Sequence, residues 1–118
     1  MGSEQPALDR EIVAELQALM GGDFGMLVNT FLTDSEQRIA AIEAALQQQD
    51  PEALRRAAHS FKGSAANLGA AGLSELCRQL EEYGRDGRVD AAQPLLPALQ
   101  QEYSRARAQL ETLLAAAG

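Results

Sequence analysis

Apolar residues recur three and four positions apart along almost the whole chain, with long polar side chains between them, which is the spacing of helices that bury one face. A first short helix is predicted over residues 8–20, with Leu8, Ile12, Val13, Leu16, Leu19 and Met20 on one side and Gly21-Gly22 as its stop. A long helix follows over 23–49, N-capped by Asp23, with Phe24, Leu27, Val28, Phe31, Leu32, Ile39, Ile42 and Leu46 as its stripe. Thr33-Asp34-Ser35-Glu36 has the form of a capping box that would divide it. The apolar spacing carries across that point without a phase jump, so one continuous helix is expected. Asp50-Pro51 opens a third helix over 51–69, with Asp as N-cap and Pro at the first helical position, where its missing N–H costs nothing. Gly69-Ala70-Ala71-Gly72 marks a tight turn. A fourth helix then turns Leu73, Leu76, Cys77, Leu80 and Tyr83 inward and ends near 84–87. Leu95, Leu96, Leu99, Tyr103, Leu110, Leu113 and Leu114 signal a last helix, whose start stays open between Pro94 and Pro97.

Four long amphipathic helices joined by short connections predict an all-α, antiparallel up-down four-helix bundle, with the short additional N-terminal helix capping one end. Residues 1–118 are expected to form a single domain, without internal repeat or linker. Met1-Gly2-Ser3 is set aside as a cloning remnant. A hydrophobic content of 46% excludes a disordered chain, while no apolar run approaches the ~18 residues of a membrane span. With no basic and apolar leader, a cytoplasmic protein is expected. The net charge of −7 and the lack of any basic run argue against nucleic acid and anionic membranes as partners. One His and one Cys cannot assemble a zinc site, so neither metal nor cofactor is expected.

The single histidine, His59, and the single lysine, Lys62, lie three positions apart on the third helix. At about 100° per residue, with Phe61 at the centre of the buried face, Leu54, Ala57, Ala58, Ala65 and Leu68 all fall within about 60° of it. His59 falls at about 160°, Lys62 at about 100° and Arg55 at about 120°. The histidine is therefore expected to face water. Gly63, Ala66 and Ala70 share its side, between about 140° and about 200°. A mid-helix glycine costs about 0.5–1 kcal/mol relative to alanine, and close approach by another molecule is one reason to keep it at an exposed site. Between 51 and 70, Glu52 stands against Arg55, Arg56 and Lys62, a local surplus of positive charge that suits a phosphoryl group on the imidazole.

The run His59-Ser60-Phe61-Lys62-Gly63-Ser64-Ala65-Ala66-Asn67-Leu68-Gly69, followed by Leu73-Ser74-Glu75-Leu76-Cys77-Arg78-Gln79-Leu80-Glu81, resembles the histidine-containing phosphotransfer (HPt) domain. The resemblance extends over nearly the whole chain. It implies that His59 accepts a phosphoryl group from a receiver-domain aspartyl phosphate and passes it to another receiver. It further implies that Lys62 helps to neutralise that group and that Gly63 leaves the imidazole room. Glu81 matches a position often held by glutamine that supports the imidazole. Arg55, Gly63, Ser64, Ala66, Ala70 and Glu81 are the expected binding residues around His59 and Lys62. The partners implied are response-regulator receiver domains and a hybrid sensor histidine kinase, met by a monomer.

Three other readings compete. A sensor-kinase histidine motif would carry Glu directly after the histidine and Pro a few residues on, where this chain has Ser60 and Lys62-Gly63, and no Gly-rich ATP-binding region accompanies it. A nucleophilic Cys77 working with His59 is disfavoured because Cys77 lies on an apolar stripe. A bundle that only docks partners would make His59 dispensable. No base or second nucleophile is expected beside His59, which leaves the chain to supply a positioned imidazole and its electrostatic setting.

Overall fold

The first turn of a helix needs partners for its free N–H groups, and Asp9 and Asp50 supply them at two of the helix starts. Asp9 Oδ1 accepts from the Glu11 and Ile12 amides at 2.9 and 3.2 Å, and Asp50 Oδ1 from the Ala53 amide at 3.1 Å. The computed structural model describes residues 6–117. Its elements are α1 (Arg10–Met20), a single 3-10 turn (Gly21–Asp23), α2 (Phe24–Gln48), α3 (Pro51–Asn67), α4 (Ala71–Arg85), a four-residue helix α5 (Val89–Ala92) and α6 (Leu95–Ala117). Met1-Gly2-Ser3 lie outside the described residues.

Helices α2, α3, α4 and α6 form a four-helix bundle in which each packs on two neighbours, in the order α2, α3, α4, α6. Only Gln49 and Asp50 separate α2 from α3, and only residues 68–70 separate α3 from α4, so consecutive helices must run antiparallel. Phe61, Ile42, Leu46, Leu54, Leu73, Leu80, Leu99 and Leu110 fill the centre and are fully buried. Bonds across the α2–α6 seam add to this core: the Tyr103 hydroxyl donates to Leu32 O at 3.3 Å, Gln100 to Glu43 at 2.6 Å and Arg107 to Glu36 at 3.2 Å. Helix α1 is held across the end of the bundle by the Asp9 amide, which donates to Gly69 O at 2.7 Å.

The element order follows the sequence reading, with α2 continuous through Ser35, which is buried within it. Several boundaries differ. Helix α1 starts at Arg10, after its cap at Asp9, and not at residue 8. Asp23 is not a side-chain cap: its backbone is helical and belongs to the 3-10 turn, whereas a capping side chain needs an extended backbone. Helix α3 stops at Asn67, because Gly69 takes a left-handed φ of 77° and the Ala70 amide turns back to Ala65 O at 2.9 Å. Helix α5 was not expected, being too short to show a period. Helix α6 begins after Pro94 and carries Pro97 in its first turn, where no N–H is required.

Candidate functional site

Helix α3 turns Leu54, Ala58, Phe61 and Ala65 into the core, and this phase throws His59 outward with its side chain 63% exposed. Gly63, one turn on, is also exposed, and a Cβ added there would meet nothing within 4 Å, so no packing demand accounts for the glycine. Ala66 is exposed on the same side and Ser64 is half-buried. Arg55, one turn before His59, is drawn toward solvent by Glu52, to which its guanidinium donates at 3.0 and 2.8 Å. That pairing raises the Arg55 pKa and lowers that of Glu52.

Ala70 does not join this surface. It is fully buried and lies beyond the end of α3, in the turn that leads into α4. A wheel drawn through residue 70 extends the 100° step past a helix that has already stopped, so its phase no longer applies.

The expectation that no base stands beside His59 is also overturned. Glu81, on the inner side of α4, is 5% exposed at its side chain and sends its carboxylate up between the two helices. Its Oε2 lies 2.9 Å from His59 Nδ1, and its Oε1 lies 2.7 Å from Lys62 Nζ. Burial pushes the Glu81 carboxyl up, but the hydrogen bonds and charges of Lys62 and His59 outweigh it and hold the group below its ordinary value. An ionised carboxylate only accepts, so His59 Nδ1 carries the proton and Nε2 is the nitrogen left with a lone pair. Arg85, one turn along α4 from Glu81, adds a second cation at 3.2 Å from Oε2. Sequence reading passed over Arg85, although its i,i+4 spacing from Glu81 was a usable signal. The Ser74 hydroxyl donates to Lys62 O at 3.2 Å and ties α4 to the same turn of α3.

Cys77, the other candidate nucleophile, is fully buried in the core, and burial pushes its thiol up to about 12, which leaves it inert. Among the described residues no group of His, Cys, Asp and Glu is placed to hold a metal ion, and no helix is long and apolar enough to cross a membrane.

Known proteins carry the same arrangement of helices. The structure of histidine-containing phosphotransfer protein B from Pseudomonas aeruginosa PAO1 is similar with a TM-score of 0.88 and 38% identity, covering 92% of this chain and 95% of that one. A histidine-containing phosphotransfer protein from maize is similar with a TM-score of 0.84 and 26% identity, covering 93% and 84%. The phosphorelay intermediate protein YPD1 of Candida albicans is 33% identical over 64 residues. That match takes in 54% of this chain and 35% of that protein, so it spans about a third of the relative's length. The family model for the Hpt domain matches residues 26–109, which takes in most of α2, all of α3 and α4, and the greater part of α6. Since the match surrounds the one histidine and extends over most of the bundle that presents it, the chain belongs to the Hpt domain family.

Proposed function

We propose that this chain is a histidine phosphotransfer protein of a multistep two-component phosphorelay. It accepts a phosphoryl group on His59 from a receiver-domain aspartate and passes it to another receiver. The observation that carries this reading is the state of the imidazole: well exposed, held at Nδ1 by a buried carboxylate, and free at Nε2 on a face kept open by Gly63. Lys62 and Arg85 supply positive charge beside it, so the added negative charge of a phosphoryl group meets nearby cations. The chain acts without an ATP site of its own, as a carrier between partners. The receiver brings its acidic pocket and divalent ion, and this chain contributes an oriented nucleophile.

Around His59 the receiving surface consists of Arg55, Lys62, Gly63, Ser64 and Ala66, with Glu81 beneath them. A hybrid sensor histidine kinase and response-regulator receivers are the partners that fit this chemistry, in the cytoplasm and with residues 1–118 working as one monomeric domain. Incubation with labelled phospho-receivers from the same cell tests the reading. The wild-type chain is expected to take up acid-labile, base-stable label. His59→Gln is expected to fold normally and take up none. Label retained by that variant would show that another residue carries the phosphate, and failure of the wild type to take label from any receiver would favour a bundle that only docks.

A further inference from the structure

Helix α1 carries an apolar stripe but meets the bundle along one edge only. It packs chiefly on the 3-10 turn and on α2, and Val13 is its single buried residue. Between α1 and the C-terminal half of α6 this leaves an open groove of about 580 Å³, the size of a small-molecule site. Buried Leu8 and Val13 form its floor and Leu113 part of its wall, while Ala108 offers only a methyl group where a longer side chain would close the gap. The groove is separate from the histidine face: Ile12, on another flank of α1, is the residue that borders Lys62 and Ala66.

The charge on this groove has one sign. No Asp or Glu lines it, and Arg10 is the charged residue at its edge. Arg10 is exposed and, among the described residues, bonds to no acid. Its neighbour Asp9 is spent on the α1 cap, where it accepts from the Glu11 and Ile12 amides. Arg55, Arg78, Arg85, Arg105 and Arg107, by contrast, all stand in ion pairs. A cation in the first turn of a helix opposes the helix dipole, so nothing within α1 accounts for Arg10. Gln17 and Gln109 add half-buried amides to the walls, whereas the Thr112 hydroxyl is spent on Ala108 O at 3.0 Å.

We propose that the groove between α1 and α6 binds a small amphipathic monoanion, an acyl chain that ends in a carboxylate. The hydrocarbon displaces water from Leu8, Val13 and Leu113, and the carboxylate forms a charge-assisted bond with Arg10. One unpaired cation matches one negative charge, and the lack of acids in the lining removes repulsion. A partner helix finds too short a seat here, since α1 has only 11 residues, and an anionic bilayer is repelled by the net charge of −7. The site stands apart from the phosphotransfer reading and shares no residue with it.

The test titrates decanoate, kept below its micelle concentration, into the full chain and follows the backbone amides by NMR. Saturable one-to-one shifts are expected at Val13, Gln17, Ala108 and Leu113. The neutral analogue 1-decanol, and decanoate on Arg10→Gln, should each bind about tenfold more weakly, because the charged bond is gone. Ala108→Leu fills the groove and should abolish binding, whereas His59→Gln should bind as the wild type does. Vesicles of phosphatidylglycerol should capture no chain. Scattered or non-saturating shifts, equal affinity for 1-decanol, loss of binding in His59→Gln, or capture by vesicles without decanoate binding would each overturn the proposal. Should Ala108→Leu not fold, nuclear Overhauser contacts between the decanoate chain and Leu8 or Val13 of the wild type decide instead: their presence supports the site and their absence removes it.

Discussion

Glu81 concentrates the physics of the site in one side chain. Desolvation disfavours its charge, yet Lys62 and His59 more than compensate, and the folded state holds its pKa below the ordinary value of 4.5. Lowered in the fold, the group contributes stability that is fully present above the unfolded value and is lost as pH falls through the folded one. Urea unfolding stepped downward from pH 4.5 should therefore show the wild type losing stability faster than Glu81→Gln. Equal losses would mean that the pairing is no stronger folded than unfolded. His59 and Lys62 were legible as a pair because both project from one helix. Their meeting with Glu81 was expected only through the family resemblance, since periodicity does not say which turn of α4 stands opposite which turn of α3.

That register is an affair of elements, and two glycines show how differently the same residue type can act in it. At Gly84 an added Cβ would lie 2.8 Å from Arg55 N, 2.9 Å from Pro51 O and 3.0 Å from Arg55 Cα, all backbone atoms of α3. The end of α4 therefore rides directly on the first turns of α3. This close crossing, one turn from Glu81, lets a side chain of that length reach His59. At Gly63 the same Cβ would meet nothing. Gly84→Ala is expected to cost about 1–3 kcal/mol, because backbone and not a flexible side chain must give way. Gly63→Gln should stabilise the isolated bundle by up to about 1 kcal/mol, since it exchanges glycine for a better helix former in open space. It should at the same time slow transfer strongly by crowding the approach to the imidazole. Chemical unfolding of both variants, with transfer measured on the Gly63→Gln sample, checks the pair. Normal transfer by a stable Gly63→Gln chain would remove that face from the docking surface.

For the molecule as a whole, charge and core act together. Its net charge of −7 makes like copies repel, and Leu19 and Met26 are the only large hydrophobic residues that stand out as exposed among those described. Sedimentation equilibrium is accordingly expected to return the 12.6 kDa of a single chain, and a concentration-dependent increase toward twice that mass would contradict it. Lys62 and Arg85 stand at the carboxylate that holds the histidine, against this acidic background. A partner with an acidic pocket is thereby attracted locally, although the chain as a whole repels it.

Periodicity and punctuation were enough to lay out four long helices, their antiparallel order and the outward phase of His59. These are properties of one helix at a time: a 100° step, a cap, a proline, a glycine stop. The same local rules misplaced Ala70, because they do not say at which residue a helix yields to a left-handed glycine and a turn that packs into the core. They did not place the carboxylate either, and Glu81 entered the expected site through the family resemblance alone. Glu81 reaches His59 and Lys62 through the distance and register between α3 and α4, which arise from the close crossing at Gly84 and from burial of Phe61, Leu73 and Leu80 between the helices. Such contacts belong to pairs of helices, and side chains twenty-two positions apart become neighbours only when the whole bundle has closed.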